Sequence, residues 1–301
     1  MPGWDPEVVV DADLAHRLIG RFDDLRVESV ELLSEGWDRT VWLVNAYWVF
    51  GFPRRAVVLP GLEREIVFLP RLAPLLPLAI PRPAFVGRPS VDFPWPFFGS
   101  AFLPGQELCD AGLDDPARSG VAVELAGFLR RLHSSELAEA LPAGALPLDS
   151  NRRADMAHRV PRTRNALTEL ERLGLWHAPA GLAGLLDEVE RLPPSSRLAV
   201  VHGDLHFRHL LVDGDRASAV IDWIDLSRSD PAVDLQLFWS FVPAVGRQAF
   251  LDAYGPVADD QLLRARVVAL SLCAQLALYG RDGGRPSVER EAIAGLERAA
   301  R

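Results

Sequence analysis

The chain has 301 residues, and every one of its 32 basic residues is arginine; lysine is absent. Arginine stays protonated and is no nucleophile, so Schiff-base catalysis and the lysine-dependent P-loop GxxxxGK[ST] are excluded. A net charge of −9 without a basic run has the wrong sign for neutralising nucleic-acid phosphates, while 49% hydrophobic residues supply a substantial core.

The length suits two domains or one two-lobed unit. Two distant cysteines, Cys109 and Cys273, make neither a disulfide framework nor a cysteine-based zinc site, and a reducing, cytoplasmic location is expected. The first thirteen residues carry Asp5, Glu7, Asp11 and Asp13 and do not read as a signal peptide. The longest apolar helical stretch, Val267 to Gly280, is interrupted by Ser271 and Gln275 and reads as too short to span a bilayer.

Three runs, Val27 to Leu33, Thr40 to Val44 and Tyr47 to Phe52, read as an antiparallel meander around Glu35-Gly36-Trp37-Asp38 and Asn45-Ala46. A helix follows over Gly61 to Leu72, with Leu62, Glu65, Ile66 and Leu69 on one side and Pro70, Pro74 and Pro77 expected to end it. Strands near Ala84 to Gly87 and Phe97 to Leu103 lead to Pro104-Gly105, which reads as the boundary between lobes 1–104 and 105–301. From Ser119 the pattern is helical. Val121, Leu125, Leu129 and Leu132 recur at helix period, as do Ala166 to Leu173, Leu182 to Val189 and later Leu235 to Phe241 and Leu262 to Tyr279. One β island interrupts it, with runs at Leu198 to His202, Leu210 to Val212 and Ala217 to Ile221.

Three of the seven histidines fall within Val201-His-Gly-Asp-Leu-His-Phe-Arg-His209, in this island. Asp204 follows one strand and Asp222 ends another, so a tight β-turn-β return brings the two carboxylates to neighbouring points. Such a pair suits proton acceptance by one carboxylate and a hard divalent cation on the other. His202, Asp204 and His206 also alternate along an extended segment, which keeps a metal-dependent hydrolase as a lesser alternative.

His202-Gly-Asp-Leu-His206, Leu210-Leu-Val212, Val220-Ile-Asp-Trp-Ile-Asp225 and Asp230-Pro-Ala-Val-Asp-Leu235 together resemble the catalytic signature of the aminoglycoside and macrolide phosphotransferases. The similarity extends from about Glu28 to Tyr279, through Glu35-Gly36, Val49 to Arg55, Leu62-Glu-Arg-Glu65 and Leu103-Pro-Gly105. It implies an α+β, two-lobed protein-kinase-like fold, with a small antiparallel-sheet nucleotide-binding N-lobe and a mainly helical catalytic C-lobe.

The implied reaction transfers the γ-phosphate of ATP or GTP to a hydroxyl of an antibiotic or a related metabolite, with Mg²⁺ or Mn²⁺. The expected partners are the nucleoside triphosphate and the small hydroxylated acceptor, without nucleic acid or membrane, in a monomer or weak dimer. By resemblance, Asp204 accepts the hydroxyl proton and Asp222 holds the metal, while His202 and Asp234 fix the loop. Asp225 is expected to line the acceptor site. Gly36 lies where a phosphate-covering turn is expected, and Phe102 and Leu103 are expected to offer backbone hydrogen bonds to the nucleobase.

Two positions depart from the family pattern. His209 replaces the usual second metal ligand, Asn, and is expected to bind the cation through water, to contact phosphate, or to favour a softer cation such as Mn²⁺. Gly51 stands on the third strand where a Lys or Arg normally joins the phosphates to a helix glutamate, here Glu65. Arg54 or Arg55 is expected to reach back instead. A catalytically weak or inactive nucleotide-binding protein is the alternative that Gly51 and His209 motivate.

Overall fold

The computed structural model describes residues 5–142, 144–149 and 151–301. Two compact units form, one from residues up to Leu75 with Ala79–Leu103, the other from Leu76–Leu78 with Pro104–Arg301.

The first unit begins with helix α1 (Ala12–Ile19), whose N-cap Asp11 accepts a hydrogen bond from the Leu14 N–H. Strands β1 (Val30–Glu35), β2 (Arg39–Val44) and β3 (Trp48–Pro53) form the expected meander. Asn45 and Ala46 both adopt positive φ, as a tight antiparallel connection demands. Helix α2 (Leu59–Leu72) starts two residues before the expected Gly61 and keeps Pro70 inside its last turn. Pro70 therefore does not terminate it: proline removes one N–H donor, and so close to the end little of the helix is lost. Strands β4 (Phe85–Gly87) and β5 (Phe97–Ala101) complete an antiparallel sheet of order β1-β2-β3-β5-β4. Phe50, Phe52, Phe93 and Phe97 fill its core against Leu18 and Ile19 of α1.

The second unit opens with β6 (Gln106–Glu107) and α3 (Asp115–Leu132), whose Val121, Leu125, Leu129 and Leu132 are fully buried. It continues through α4 (Ser135–Glu139), α5 (Met156–Arg172) and α6 (Leu182–Glu190) to β7 (Ala199–Val201). The β8 (Leu210–Asp213) and β9 (Arg216–Val220) hairpin follows, and β6 adds to β8. Strand β7 stands apart from that hairpin and pairs with β10 (Ser227–Ser229). The chain ends in α7 (Gln236–Ser240), α8 (Arg247–Tyr254), α9 (Asp259–Asp282) and α10 (Pro286–Ala300).

Helix α9 corrects the expectation of a short apolar stretch. It runs for 24 residues and by length and composition is long enough to cross a membrane, yet 67% of its most apolar window is buried in the protein. Packed by α5, α7 and α10, it is the core helix of this unit.

Candidate active site

Strand β7 delivers the chain into a loop whose backbone is fixed from beneath. Gly203 has φ +90, and a Cβ there would stand 2.4 Å from the Asp225 carbonyl oxygen, so only glycine fits this turn. Asp234, wholly buried, accepts hydrogen bonds from the His202 N–H at 2.8 Å and the Gly203 N–H at 3.0 Å. It also accepts one from His133 Nε2 at 3.2 Å, and His133 Nδ1 shares a hydrogen bond with the Tyr254 hydroxyl at 2.9 Å. Burial opposes the Asp234 charge, but the bond and charge of His133, with His202 and the Gly203 N–H, hold its carboxyl below the usual range.

The β8–β9 hairpin brings the second carboxylate back. Leu210 pairs with Val220, the Ile221 N–H donates to the His209 carbonyl at 2.9 Å, and Asp222 follows with φ +64. That left-handed conformation is uncommon for a non-glycine residue and turns the chain sharply at the strand end. His202 ties the two segments, since Nε2 donates to the Ile221 carbonyl at 2.9 Å and Nδ1 accepts from the Asp204 N–H at 3.2 Å. His209 ties them again. Its Nδ1 donates to the Asp204 carbonyl at 2.8 Å while Nε2 faces Asp222 Oδ2 at 3.4 Å.

Asp204 is also gripped from the side. Arg153, in the segment before α5, donates through Nη1 to Asp204 Oδ1 at 2.6 Å and through Nη2 to Asp225 Oδ2. Asn151 Nδ2 donates to the other Asp225 oxygen at 2.6 Å, and Asp149 accepts from the Arg153 N–H at 2.6 Å. Burial disfavours the Arg153 charge, but Asp204 and Asp225 outweigh it and raise its pKa. Burial pushes Asp225 the other way, upward, with Arg153 opposing and Asp204 adding to the rise.

The hydrogen bonds sort the ring nitrogens as cation donors. A carbonyl can only accept, so His209 carries its proton on Nδ1 when neutral, leaving an Nε2 lone pair 3.4 Å from a carboxylate oxygen of Asp222. Two lone pairs 3.4 Å apart repel unless a proton or a cation lies between them. Two ligands at about 2.0–2.1 Å from one ion stand about 3.0–3.4 Å apart, so His209 and Asp222 fit a shared divalent cation. His206 does not join them, although its ring stacks on His209 at 3.8 Å and it clusters with Asp204 and His209. Its Nδ1 accepts from the Arg208 N–H at 3.2 Å, so the proton sits on Nε2, which faces Asp204 Oδ2 at 3.8 Å. Burial, reinforced by His209 and Arg208, pushes the His206 pKa well below its ordinary value, keeping it neutral.

In the first unit, Glu65 on α2 is almost wholly buried and is met by Arg39 of β2. Arg54 instead pairs with Glu35 at 2.8 Å and donates to the Gly36 carbonyl at 2.6 Å, and Arg55 pairs with Asp38.

The sequence profile described as "Phosphotransferase enzyme family" matches residues 29–266. The chain belongs to this phosphotransferase family. The phosphotransferase is similar to the GDP and kanamycin complex of APH(2'')-IIIa, at 25% identity and TM-score 0.68 over 96% of this chain and 98% of that one. It shares its fold with macrolide 2'-phosphotransferase MphH from Brachybacterium faecium, at 23% identity and TM-score 0.59 over 94% and 96% of the two chains. No curated protein sequence matches it.

Within the phosphotransferase, Asp204, Asp222, His209, Asp225, His202 and Asp234 all lie in one bonded cluster of the second unit. Four residues that sequence reasoning passed over join them: Arg153, Asn151, His133 and Tyr254. No motif marks them, because they come from three separate places in the chain: the segment before α5 for Asn151 and Arg153, the end of α3 for His133 and α8 for Tyr254.

Several expectations are corrected. The cation on Glu65 is Arg39, while Arg54 and Arg55 brace the β1–β2 turn. Both nitrogens of His202 are engaged, so the alternating His202, Asp204 and His206 donor set of a hydrolase does not form. The Phe102 N–H is given to the Tyr47 carbonyl at 2.7 Å, so that donor is not available to a nucleobase. Gly36 lies in the β1–β2 turn, where an added Cβ would make only an ordinary 3.6 Å contact with the Arg39 carbonyl. The fold itself does not demand glycine there.

Proposed function

We propose that this phosphotransferase moves the terminal phosphoryl group of ATP or GTP to a hydroxyl of a small acceptor. The observation that carries the reading is Asp204 itself: its loop is locked by Asp234, and His209 bonds that loop while facing Asp222. The Asp204 carboxylate takes the proton of the acceptor hydroxyl. The new oxygen–phosphorus bond forms as the bond to the β-phosphate oxygen breaks, and a nucleoside diphosphate leaves. Asp222 and His209 hold a divalent cation that, when bound, neutralises charge on the transferring phosphates. An imidazole ligand suits Mn²⁺ better than Mg²⁺, which prefers an all-oxygen shell.

Arg153 bears on the acceptor. Its guanidinium already compensates Asp204 and Asp225, so a polycationic acceptor must displace it, whereas a sparsely charged hydroxylated one need not. The relative solved with kanamycin and GDP supports an antibiotic-type acceptor and a nucleotide donor; among such acceptors, Arg153 favours those with few ammonium groups, macrolide in type, or a related metabolite. The inactive alternative is motivated by Gly51 and His209 together; against its first half, Arg39 sets a cation beside Glu65.

The test is a panel of hydroxylated acceptors incubated with ATP or GTP and Mn²⁺ or Mg²⁺, read by mass spectrometry. The expected product gains one phosphoryl group, and Asp204→Ala abolishes it. Equal product from wild type and Asp204→Ala, or none from wild type with any acceptor, defeats the proposal.

A further inference from the structure

Gly51 and Arg39 are two halves of one feature. In the antiparallel β2–β3 register, Val41 pairs with Gly51 and Arg39 with Pro53, which makes Arg39 the diagonal neighbour of Gly51 on the same face. A Cβ built on Gly51 would lie 3.4 Å from Arg39 Cδ and 3.9 Å from Nη1, so the arginine stem crosses the bare backbone of the third strand. Beyond it, the guanidinium carbon stands 5.7 Å from the ring of Phe98, the residue on β5 that pairs with Gly51. The side chain thus starts on β2 and spreads over β3 towards β5. A long side chain at position 51 would contend for this space.

The end of that path is Glu65. Its side chain is 1% exposed, and a carboxylate so buried needs a cation beside it; Arg39, 15% exposed, is that cation. In protein kinases the same helix glutamate orients a lysine from the third strand, and that lysine holds the nucleotide phosphates. Here the glutamate is kept, the third-strand position is emptied, and the cation arrives over it from the neighbouring strand.

We infer that Arg39 is the residue that holds the donor phosphates in this chain, with Glu65 as its positioning partner and Gly51 as the gap that admits it. A guanidinium is suited to the task, since its planar fork serves a carboxylate on one edge and a phosphate on another. The inference rests on the phosphoryl-transfer reading above.

Nucleotide affinity, measured by calorimetry or with a fluorescent ATP or GTP analogue, tests it independently of turnover. Arg39→Ala strands the buried Glu65 carboxylate, so Arg39→Ala/Glu65→Gln accompanies it as the variant that removes both charges, with circular dichroism and Tm to confirm folding. Both are expected to bind nucleotide at least about tenfold more weakly, with the KM for the acceptor unchanged. Arg39→Ala/Gly51→Lys returns a cation to the third strand and is expected to regain most of the lost affinity; folded Arg39→Ala/Glu65→Gln, in which no buried charge is stranded, is the variant that separates phosphate binding from a merely structural arginine. Folded Arg39→Ala/Glu65→Gln with wild-type nucleotide affinity, or failure of Gly51→Lys to restore binding, overturns the assignment. Wild-type protein that binds neither nucleotide overturns the phosphoryl-transfer reading and this inference with it.

Discussion

Replacing Asp234 with alanine removes an acceptor on which three donors converge: the His202 and Gly203 N–H groups and His133 Nε2. All three lie in dry surroundings, and each orphaned donor costs about 1–3 kcal/mol, while breaking a buried charged contact as a whole costs about 3–5 kcal/mol. Taking the second figure, and about 2–4 °C per kcal/mol for a unit of 150–250 residues, the melting temperature falls by roughly 6–20 °C. Asp234→Asn costs less, since its amide keeps one acceptor and His133 can exchange tautomers. The loop that loses its anchor carries Asp204 one residue further on, and a displacement of about 1 Å there lowers kcat by about 100-fold. Thermal denaturation and steady-state kinetics on wild type and both variants read these two effects separately. The native Asp234 carboxyl sits below its unfolded value, so its contribution is present above about pH 4 and is lost as the pH falls through the folded pKa. An Asp234→Ala protein that melts within about 2 °C of wild type, or keeps its kcat, refutes the anchoring role.

Turnover is expected to be higher with Mn²⁺ than with Mg²⁺, and His209→Asn to reverse that preference by about tenfold, measured by metal titration of initial rates; an unchanged ratio refutes His209 as a ligand. Arg153→Ala uncovers Asp204 and Asp225 and is expected to lower the KM of a polycationic aminoglycoside by about tenfold relative to that of a macrolide; equal changes for both remove Arg153 as a selector. Burial depresses both His202 and His206, so the unfolded chain takes up their protons first as the pH drops below about 6.5. Stability is therefore complete above that pH and declines below it, at up to about 2.7 kcal/mol per pH unit for two protons. Urea denaturation between pH 7 and 5 checks the slope, and a midpoint that stays constant contradicts it.

The carboxylates of the site were legible because they lie on short local segments. His202 to His209 and Val220 to Asp225 are contiguous runs, and a hairpin of five-residue scale brings their ends together by strand pairing alone. The meander of the first unit was legible for the same reason, through alternating apolar runs and the Asn45-Ala46 turn. Helix α10 was not, since its buried face is made largely of small residues, Ala292 and Ala299 beside Val288 and Leu296, which carry little periodic signal. Nor was the partner of β7, because β10 is only three residues long and polar.

Sequence alone determined the absence of lysine, the emptied position at Gly51 and the retained Glu65. It assigned the missing cation to Arg54 or Arg55 because proximity along the chain was its only measure of reach. The tertiary structure decided otherwise through register: antiparallel pairing sets Arg39 diagonally across from Gly51, twelve positions away in sequence, on the face from which a guanidinium reaches Glu65. Arg153 entered the site in the same way, carried from residue 153 to the carboxylates of 204 and 225 by the packing of a segment that no motif marks. Strand pairing and helix packing, which neither composition nor spacing encodes, chose which arginines of an all-arginine chain meet the buried acids.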